Sequence, residues 1–452
     1  MKRILLFASM CASLAAVAQN SLLKNPIKGA VPAKAMNKLC IVTNASDAVL
    51  VIGDTSGVYA IDAGPNNTST TAENAITSIP NFVTKLDAAA GQATYVIDMA
   101  VNPVNKAIYI LAMNSTASSR FLFKVEKAGS KVTMMDMSNV TYSKLSWGGR
   151  IYTNDIAYAN NTLYVSSGSY NLNGELGWIA PPFTHNAAFT KRSTTFFKSN
   201  QGATYLTTAP LETIAVGKIA GKDRVMGVTT CAPGFSFETS KLAGSGLLKV
   251  SEDFNVNSGY CSKAVYMQHD NKDWLFALHS RQVYRIGKKY LDGSQVTANK
   301  YDNNAVELRD NAGNVTVPAE DLKLMSNTEY AAMAYWDHYR LLVIEGGFSG
   351  TNTLSLLQVS TATPPPASVV DITTEPLKVY PNPAKHIVNV ELPQGIDNAT
   401  VKIISMTGSV VMSKGISAGN SSVNVQGIPA GQYTISIQAT DGFTKTGKIT
   451  IE

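Results

Sequence analysis

The feature that most constrains this fold is a pair of apolar strands, joined by a short polar turn, that recurs six times. In the clearest copy, strands at 98–101 and 108–111 flank a turn at 102–105. A period in the fifties to sixties in an all-β pattern, with Gly, Asn and Asp in the turns, is typical of β-propeller blades. Successive copies are 60, 57, 58, 50 and 69 residues apart, counted from Lys38, Asp98, Asp155, Thr213, Lys263 and Ala332.

Further strands follow several of these pairs, as at 121–125, 131–137 and 282–286. Four antiparallel strands per repeat is the plan of a propeller blade, and stacking blades around a ring buries the faces that one blade leaves exposed. A β-solenoid has much shorter rungs, and a pair of β-sandwiches would not repeat one strand pair six times. We therefore predict an all-β chain in which residues 19–359 form a six-bladed propeller, with seven blades as the alternative. We expect residues 20–37 to add a strand to the last blade and close the ring.

The N-terminus predicts secretion. Lys2 and Arg3 precede an apolar run at 4–14, and small residues at 16–18 fit a signal-peptidase site, so we predict a signal peptide at 1–18. That run is too short to span a membrane, and no later segment reaches the roughly 18 consecutive apolar residues that a spanning helix needs. Only 15% of the residues are charged, and the net charge of +6 includes no basic run, which argues against nucleic-acid binding.

Three cysteines remain after the predicted cleavage, namely Cys40, Cys231 and Cys261. An odd number excludes a fully paired disulfide framework. Cys231 and Cys261 flank consecutive repeats and could form one disulfide, but we favour three small buried thiols.

A second domain follows a proline-rich segment. Residues 360–374 contain three consecutive prolines, which favour extended polyproline II, and we predict that they form a semi-rigid linker. The residues after it, 375–452, show seven short strand patterns separated by glycines, which predicts a small Ig-like β-sandwich. The predicted strands are 377–380, 387–391, 400–404, 409–413, 421–425, 432–438 and 443–450.

This second domain carries the most specific motif of the chain. Tyr380, Pro381, Asn382 and Pro383 form a turn in which the two prolines end the preceding strand. Together with its place at the end of the chain, this segment resembles the type A C-terminal sorting domain of the type IX, or Por, secretion system of Bacteroidota. Ser405 stands where that family usually has Asp. The other matching positions are Gly408 in the central hairpin, Gly431 and Tyr433 in a Gly-x-Tyr element, and Lys448 in the terminal strand.

The resemblance implies a route and partners. The signal peptide would bring the chain to the periplasm, and the outer-membrane type IX translocon would recognise residues 375–452. In that family a surface sortase usually removes the domain, and the cargo is released or attached to an anionic lipopolysaccharide. We therefore expect a protein that is secreted or displayed on the outer cell surface.

The propeller region shows none of the common catalytic sequence motifs. It contains no His-Glu-x-x-His, no Walker phosphate loop and no Gly-x-Ser-x-Gly elbow. No metal site is recognised, since the five histidines are scattered, and we expect no cofactor. Calcium is the one candidate ion, because the cluster at 270–273 is similar to a calcium loop, although it lacks the glycine and the distal Glu of such loops.

Two pairs of residues are candidates for ligand or ion binding. If the first strand of each repeat is the innermost, Asp98 and Asp155 occupy equivalent places in successive repeats and would face the central channel, with Thr213 and Lys263 in the same column. Alternatively, these side chains bond to the backbone of a neighbouring strand. Trp147 and Trp178 lie in long polar segments, where an aromatic face could stack on a sugar, although tryptophans in blade cores are commoner.

Three hypotheses for the propeller stay open. It is a non-enzymatic binding protein for a surface glycan or protein partner, a hydrolase or lyase that uses carboxylates such as Asp98 and Asp155, or a docking component of a surface assembly. The absence of catalytic motifs favours the first, so we lean against an enzyme. Two carboxylates close together in an open cleft would favour the second, and an exposed apolar patch would favour the third.

Overall fold

The computed structural model describes most of the chain from Asn20 to Glu452. The chain divides into two compact regions, Met1–Thr363 and Pro364–Glu452, called here the N-terminal and C-terminal regions. The predicted signal peptide at 1–18 and the predicted linker at 360–374 lie outside the described residues. The described ranges are 20–66, 71–114, 116, 118–169, 172–198, 204–206, 210–229, 233–250, 253–255, 260–269, 272–292, 322–324, 328–347, 352–359, 377–392, 398–405, 410–417, 421–439 and 444–452.

Strands dominate the N-terminal region. The first ten are β1 (Leu23–Lys24), β2 (Ile27–Gly29), β3 (Lys38–Thr43), β4 (Asp47–Asp54), β5 (Gly57–Pro65), β6 (Ser78–Ile79), β7 (Thr94–Val101), β8 (Ile108–Asn114), β9 (Arg120–Glu126) and β10 (Lys131–Met134). The next ten are β11 (Val140–Leu145), β12 (Thr153–Ala159), β13 (Thr162–Ser169), β14 (Leu172–Ile179), β15 (Phe183–Thr184), β16 (Thr190–Lys198), β17 (Thr204–Leu206), β18 (Leu211–Ile219), β19 (Lys222–Thr229) and β20 (Pro233–Glu238). The last nine are β21 (Leu248–Val250), β22 (Phe254–Asn255), β23 (Cys261–His269), β24 (Lys272–His279), β25 (Gln282–Gly287), β26 (Leu322–Leu324), β27 (Tyr330–Tyr335), β28 (Arg340–Glu345) and β29 (Thr353–Gln358).

These strands form six sheets, antiparallel except for the parallel pairing of β16 with β21. Each sheet begins with one of the predicted strand pairs, so all six pairs are confirmed. Sheet 1 has the order β3-β4-β5-β11-β2 and sheet 2 the order β7-β8-β9-β10. Sheet 3 is β12-β13-β14-β16-β17, with β21 also paired to β16, and sheet 4 is β18-β19-β20-β22. Sheet 5 is β23-β24-β25-β26, and sheet 6 is β27-β28-β29-β6. A further parallel pair joins β1 to β15.

The six sheets follow one another in a closed cycle, a propeller-type arrangement. Six clusters of buried apolar side chains each fill the space between two neighbouring sheets, so the core is a ring of separate contacts between sheets. Around the cycle, the clusters join sheets 2 and 1 (Leu50, Tyr109), 1 and 3 (Val51, Ile156), 3 and 4 (Leu176, Val225), 4 and 5 (Met226, Leu275), 5 and 6 (Phe276, Val343), and 6 and 2 (Leu342, Ile110).

The chain does not build this cycle in sequence order, because sheet 1 lies between sheets 2 and 3. After β5 the chain adds β6 to the outer edge of sheet 6, then forms sheet 2, and then returns to add β11 to sheet 1. The expectation that residues 20–37 close the ring is therefore wrong. Their strand β2 pairs with β11 in sheet 1, and the short strand β6 instead completes the last sheet.

Helices are few and short among the described residues. They are α1 (Thr71–Asn74), α2 (Phe82–Ala90) and α3 (Lys288–Leu291), with 3₁₀ turns at Lys127–Gly129 and Thr239–Ala243. Helix α2 buries three apolar side chains, including those of Phe82 and Leu86, in the cluster between sheets 6 and 2. It ends at Gly91, whose φ of 69° is the left-handed conformation that glycine adopts easily.

The described residues of the C-terminal region form seven strands, close to the seven predicted from sequence. They form a three-stranded sheet, β30-β31-β34, and a four-stranded sheet, β33-β32-β35-β36, which share one apolar core. The strands are β30 (Val379–Tyr380), β31 (Ile387–Val390), β32 (Asn398–Ser405), β33 (Val410–Ser417), β34 (Ser422–Asn424), β35 (Gly431–Ala439) and β36 (Thr444–Ile451).

Gly227→Ala tests how tightly sheet 4 is packed. A Cβ atom at this position would collide with the main-chain carbonyl oxygen of Thr213 on the paired strand, so the two strands would have to move apart. We expect the free energy of unfolding to fall by about 1–3 kcal/mol, the usual cost of overpacking.

Calorimetry of the full chain measures this loss. The control is Gly415→Ala, because a Cβ atom on Gly415 meets nothing within 4 Å. The stability of each variant is compared with the wild-type unfolding transition of the region that contains the substitution. An equal loss of stability in the two variants would contradict the packing argument.

Candidate functional site

Four buried charged side chains meet where the inner strands of sheets 1, 2, 3 and 5 approach one another. Asp98 is 3% exposed and Asp155 is 0% exposed, and Lys38 and Lys263 are also buried. The Nζ atom of Lys263 lies 3.2 Å from Asp98 Oδ2 and 3.6 Å from Asp155 Oδ1. We call Lys38, Asp98, Asp155 and Lys263 the central charge cluster.

All four of these side chains also bind the backbone of another sheet. Lys263 in sheet 5 donates to the carbonyl oxygen of Leu39 in sheet 1, at 3.4 Å. Asp98 in sheet 2 accepts a hydrogen bond from the amide of Leu39 in sheet 1, at 2.8 Å. Asp155 in sheet 3 accepts one from the amide of Ile214 in sheet 4, at 3.0 Å. Lys38 in sheet 1 donates to the carbonyl oxygen of Ser262 in sheet 5, at 2.7 Å. The cluster therefore connects five of the six sheets across the middle of the ring.

The cluster is balanced in charge. Burial by itself would lower the pKa of Lys263, but Asp98 and Asp155 outweigh burial and raise that pKa above its ordinary value. Burial likewise works against the ammonium of Lys38, whose pKa is raised chiefly by Asp155. The pKa of Asp155 is raised by burial, against the opposing effect of the two lysines. Two ammonium groups thus face two carboxyl groups in a largely buried site.

The structure shows what surrounds the candidate residues Asp98 and Asp155. The structure brings them together, and it places Lys263 between them, as the shared column in the sequence suggested. Both carboxylates are engaged by a lysine and by backbone amides of a neighbouring sheet, which is the alternative to ligand binding. Thr213, in the same column, accepts a hydrogen bond from the amide of Val228 at 3.2 Å.

The cluster lies between two cavities on the axis of the ring. One cavity, of about 1060 Å³, is lined by Lys38 and by residues at the start of the inner strands; we call it the channel mouth. The other, of about 580 Å³, is lined by Leu39 and Lys263 and by later residues of the same strands; we call it the lower cavity. Since Lys38 and Leu39 are adjacent in the chain, the boundary between the cavities falls at the cluster.

A repeated β-bulge shapes the channel mouth. In sheets 2 to 6 the register of the inner strand shifts by one residue just before the column that contains Asp98 and Asp155. A bulge turns a side chain out of the regular alternation of a strand. The five bulged residues all line the channel mouth, and they are Ile97, Asn154, Glu212, Ser262 and Ala331.

Cations outnumber acids at the channel mouth. Arg120, Arg150 and Arg281 line it, with Glu212 as the acidic residue. Arg281 is paired with Glu329 at 2.6 Å. Burial raises the pKa of Glu212 to about 7, against the opposing effects of a hydrogen bond from the Cys261 amide and the charge of Lys38. Glu212 therefore changes charge near neutral pH.

Tyrosines supply the aromatic surface of the channel mouth. Tyr152 is 46% exposed and Tyr260 is 60% exposed, and both line the cavity together with the half-buried Tyr95. None of these three residues is among the site residues predicted from the sequence. Tyr152 and Tyr260 each come just before an inner strand, at its entrance to the ring. Their position in the repeat is the one sequence feature that could have identified them as site residues.

The two tryptophan candidates lie elsewhere. Trp147 is 4% exposed, its Nε1 donates to Glu175 at 2.8 Å, and its ring packs on Phe189 at 5.1 Å, so it offers no face to a ligand. Trp178 lines a surface groove of about 760 Å³, beside Arg192, whose guanidinium donates to four backbone carbonyls at 241–247. Neither tryptophan is among the residues that line the channel mouth.

The structure lends no support to the calcium candidate. Asp273 is buried, and its Oδ1 accepts hydrogen bonds from Tyr266 at 2.9 Å and Gln268 at 3.2 Å. Asp270 and Asn271 lie outside the described residues. Within the described ranges, no group of three or more His, Cys, Asp and Glu side chains is placed to hold a metal ion.

The described cysteines are free thiols. Cys261 is buried, its Sγ lies 3.7 Å from Thr213 Oγ1, and Cys40 is half-buried. Burial raises the pKa of both thiols to about 12, so they stay protonated at neutral pH. Cys231, the suggested partner of Cys261, lies outside the described residues.

In the C-terminal region, the predicted sorting motif is attached to the terminal strand. The side chain of Asn382 donates to the carbonyl oxygen of Lys448 at 3.0 Å and accepts from the amide of Thr450 at 2.9 Å. Tyr433 packs in the core, and its hydroxyl donates to the carbonyl oxygen of Pro429 at 2.7 Å. Tyr380 is exposed. Gly431 begins β35, and Gly408 lies outside the described residues.

Residues 378–452 match the family described as Secretion system C-terminal sorting domain, which confirms the resemblance seen in the sequence. This domain directs secretion across the outer membrane to the cell surface or outside, and it implies processing by the type IX machinery. No curated protein matches the chain in sequence. Among the described residues, no helix has the length and apolar character needed to cross a membrane.

Among solved structures, the N-terminal region is similar to propeller-containing proteins. The extracellular domain of the one-component system BT4673 from B. thetaiotaomicron is 11% identical, with a TM-score of 0.27, over 92% of this chain and 69% of that one. The Malassezia sympodialis allergen Mala s 1 is 10% identical, with a TM-score of 0.30, over 74% and 96%. The extracellular region of plexin A4 is 8% identical, with a TM-score of 0.35, over 95% and 62%. Likenesses this weak identify no ligand or activity.

Lys263→Met tests the central charge cluster. The variant leaves Asp98 and Asp155 buried without their shared cation, and breaking a buried ion pair in this way costs about 3–5 kcal/mol. Burial already raises the pKa of Asp155, and without the opposing charge of Lys263 that pKa rises further above its unfolded value. The folded state then binds more protons than the unfolded state, so the lost stability is partly regained as pH falls from 7 towards 5.

Denaturant unfolding of the N-terminal region at several pH values measures this effect. The control is Lys106→Met, because the Nζ atom of Lys106 is also largely withdrawn from water but donates to the carbonyl oxygen of Trp336, at 2.6 Å. We expect the control to show no recovery at acidic pH. A loss in Lys263→Met that does not change with pH would contradict the assigned role.

Proposed function

We propose that this sorting-domain protein is a six-bladed β-propeller that acts, after export across the outer membrane, as a non-catalytic binding protein for a surface saccharide. In this proposal the six sheets are the six blades, residues 19–359 form the propeller, and the channel mouth is the binding site. The closed cycle of six inter-sheet clusters supports the blade count.

The central charge cluster is the observation that carries this proposal. It engages Asp98 and Asp155, the carboxylates that a hydrolase or lyase on this ring would have used. A catalytic acid or nucleophile must reach its substrate, and both of these groups are buried and bonded to a neighbouring sheet. The cluster also lies between the mouth and the lower cavity, so the mouth has a charged floor.

The chemistry of the channel mouth suits a saccharide. Its volume, about 1060 Å³, lies at the upper end of the usual range for ligand pockets, roughly 300–1,000 Å³. Tyr152 and Tyr260 offer exposed aromatic rings with polar tips, which suit the apolar face of a sugar. Asn154 and Ser262, both bulged residues, offer amide and hydroxyl groups for sugar hydroxyls. A docking component would instead present an exposed apolar patch.

The sorting domain adds partners to this proposal. The outer-membrane translocon would recognise residues 375–452, and a surface sortase would cut near the linker, between 366 and 377. The propeller would then be released or attached to an anionic lipopolysaccharide. In either case the channel mouth would be presented outside the cell, where surface saccharides are found.

Deleting residues 375–452 tests the sorting role. We expect the truncated chain to accumulate in the periplasm, because the signal for outer-membrane export is gone. Immunoblots of periplasmic, surface and medium fractions measure this. Normal surface delivery of the truncated chain would overturn the proposed role of the domain.

A matched pair of asparagine variants makes the export test more specific. Asn382→Ala removes both hydrogen bonds to the terminal strand, and we expect it to reduce export. Asn424→Ala changes an exposed asparagine outside the motif, and we expect wild-type export. Equal export of both variants would show that the contact of Asn382 with the terminal strand is dispensable.

Tyr260→Ala tests the channel mouth as a saccharide site. We expect it to weaken binding of the full chain to an array of bacterial surface saccharides by about two- to tenfold, the size of one aromatic contact. Titration calorimetry with the best array ligand measures the dissociation constant.

The control is Tyr158→Ala, because Tyr158 lines the lower cavity at the other end of the ring axis. We expect wild-type affinity for this variant. An affinity that drops with Tyr158→Ala and not with Tyr260→Ala would move the site to the lower cavity, and a chain that binds no saccharide would refute the proposed function.

A further inference from the structure

We infer that the channel mouth is specific for acidic saccharides, and that Arg120 and Arg150 bind the carboxylate of the sugar. The inference rests on the proposed function, because it names the class of saccharide that the same cavity would take. Four observations support it. They are the balanced charge of the cavity floor, the arginines without an acidic partner among the described residues, the aromatic and polar residues beside them, and the position of Glu212 in the cavity wall.

The floor of the channel mouth contributes no net charge. The central charge cluster contains two lysines and two aspartates, and Lys263 lies within 3.6 Å of a carboxylate oxygen of each aspartate. Lys38, the member that lines the mouth, uses its ammonium to donate to Ser262. The charge that a ligand meets is therefore set by the walls of the cavity.

Two arginines in the walls have no acidic partner within the described part of the chain. Arg150 is exposed, and no carboxylate among the described residues forms an ion pair with it. Arg120 has a buried Nε that meets no acceptor within the described part of the chain, and its Nη1 lies against the sulfur of Met113. A buried guanidinium N–H without an acceptor is costly, and a carboxylate would satisfy it. Arginine is also the side chain whose paired donors fit a carboxylate best.

The neighbouring residues favour a sugar acid over a bare anion. Inorganic phosphate or sulfate would fill only a small part of a cavity of about 1060 Å³. The exposed rings of Tyr152 and Tyr260 provide the apolar surface that a pyranose ring stacks on, and a simple anion would make no use of it. Asn154 and Ser262 add groups for the sugar hydroxyls. A uronic acid, with one carboxylate on a pyranose ring, uses all of these features.

Glu212 makes the affinity for an acidic saccharide dependent on pH. Its carboxyl group lines the mouth, where it faces the ammonium of Lys38, the ring of Tyr260 and the amide of Cys261. The pKa of Glu212 is raised to about 7 by burial. Below that pH the group is neutral and does not oppose an anionic ligand, and above it the added negative charge repels one. The affinity for an acidic saccharide should therefore be higher at pH 6 than at pH 8.

The test uses the full chain and two probes that share a sugar backbone and differ in their carboxyl groups, ionised in one and methyl-esterified in the other. Titration calorimetry compares a trigalacturonate with its methyl-esterified, neutral form, with inorganic sulfate as a competitor. We expect the acid to bind and the ester to bind at least about tenfold more weakly, the effect of losing one charge-assisted hydrogen bond. Binding of the acid should also weaken as salt is raised, because salt screens exposed charges.

Charge variants localise the effect. Arg150→Gln and Arg120→Gln should each weaken binding of the acid by about tenfold and leave binding of the ester unchanged. The control is Lys28→Gln, which removes one positive charge from an exposed site on the outer strand β2 and should change neither. Glu212→Gln should remove the difference between pH 6 and pH 8 and keep the affinity measured at pH 6. Arg150 is exposed, so its variant stays informative even if Arg120→Gln fails to fold.

The outcomes separate this inference from the proposed function. Equal binding of the acid and the ester, or binding of other neutral saccharides alone, overturns the acidic specificity and leaves the saccharide site standing. Sulfate that displaces the acid at the same concentration overturns the requirement for a sugar. A chain that binds none of the array saccharides and neither galacturonate probe overturns both.

Discussion

The central charge cluster is the interaction on which the rest of the N-terminal region depends. Asp98 and Asp155 come from two sheets, and Lys263 comes from a third, on the far side of the ring axis. Burying four charged groups costs free energy that only close pairing can offset. The sheets must therefore sit at the distances that satisfy these pairs, so the cluster favours one closed ring over looser stackings of the same sheets.

The same cluster separates two environments along the ring axis. Above it lies the channel mouth, with arginines and exposed tyrosines; below it lies a cavity lined mainly by apolar residues of the inner strands. The repeated bulge makes this possible, since it turns one residue of five inner strands towards the mouth while the next residue starts the regular alternation. The same inner strands therefore carry the central charge cluster, which the ring requires, and line the channel mouth, which is the candidate binding site.

Much of the fold could be predicted because its signals are local. The six strand pairs and the seven C-terminal strands alternate clearly enough to be located from sequence. Closure of the ring could not be predicted, because β6 is only two residues long and pairs with β29 far along the chain. The candidate site was predicted in part: Asp98 and Asp155 do meet, whereas Tyr152 and Tyr260 gave no pattern, since each is a single aromatic in a loop.

The sequence by itself determined the all-β character, the two-region organisation and the export route, because strand alternation, turn residues and the sorting motif are all short-range features. Only the tertiary structure decided what the conspicuous side chains do. Asp98 and Asp155 pair with Lys263, which is more than a hundred residues away from either of them in the chain. Trp147 packs in a buried apolar cluster. Burial and pairing depend on which sheets are neighbours in space, and the order of the sheets around this ring differs from their order in the chain.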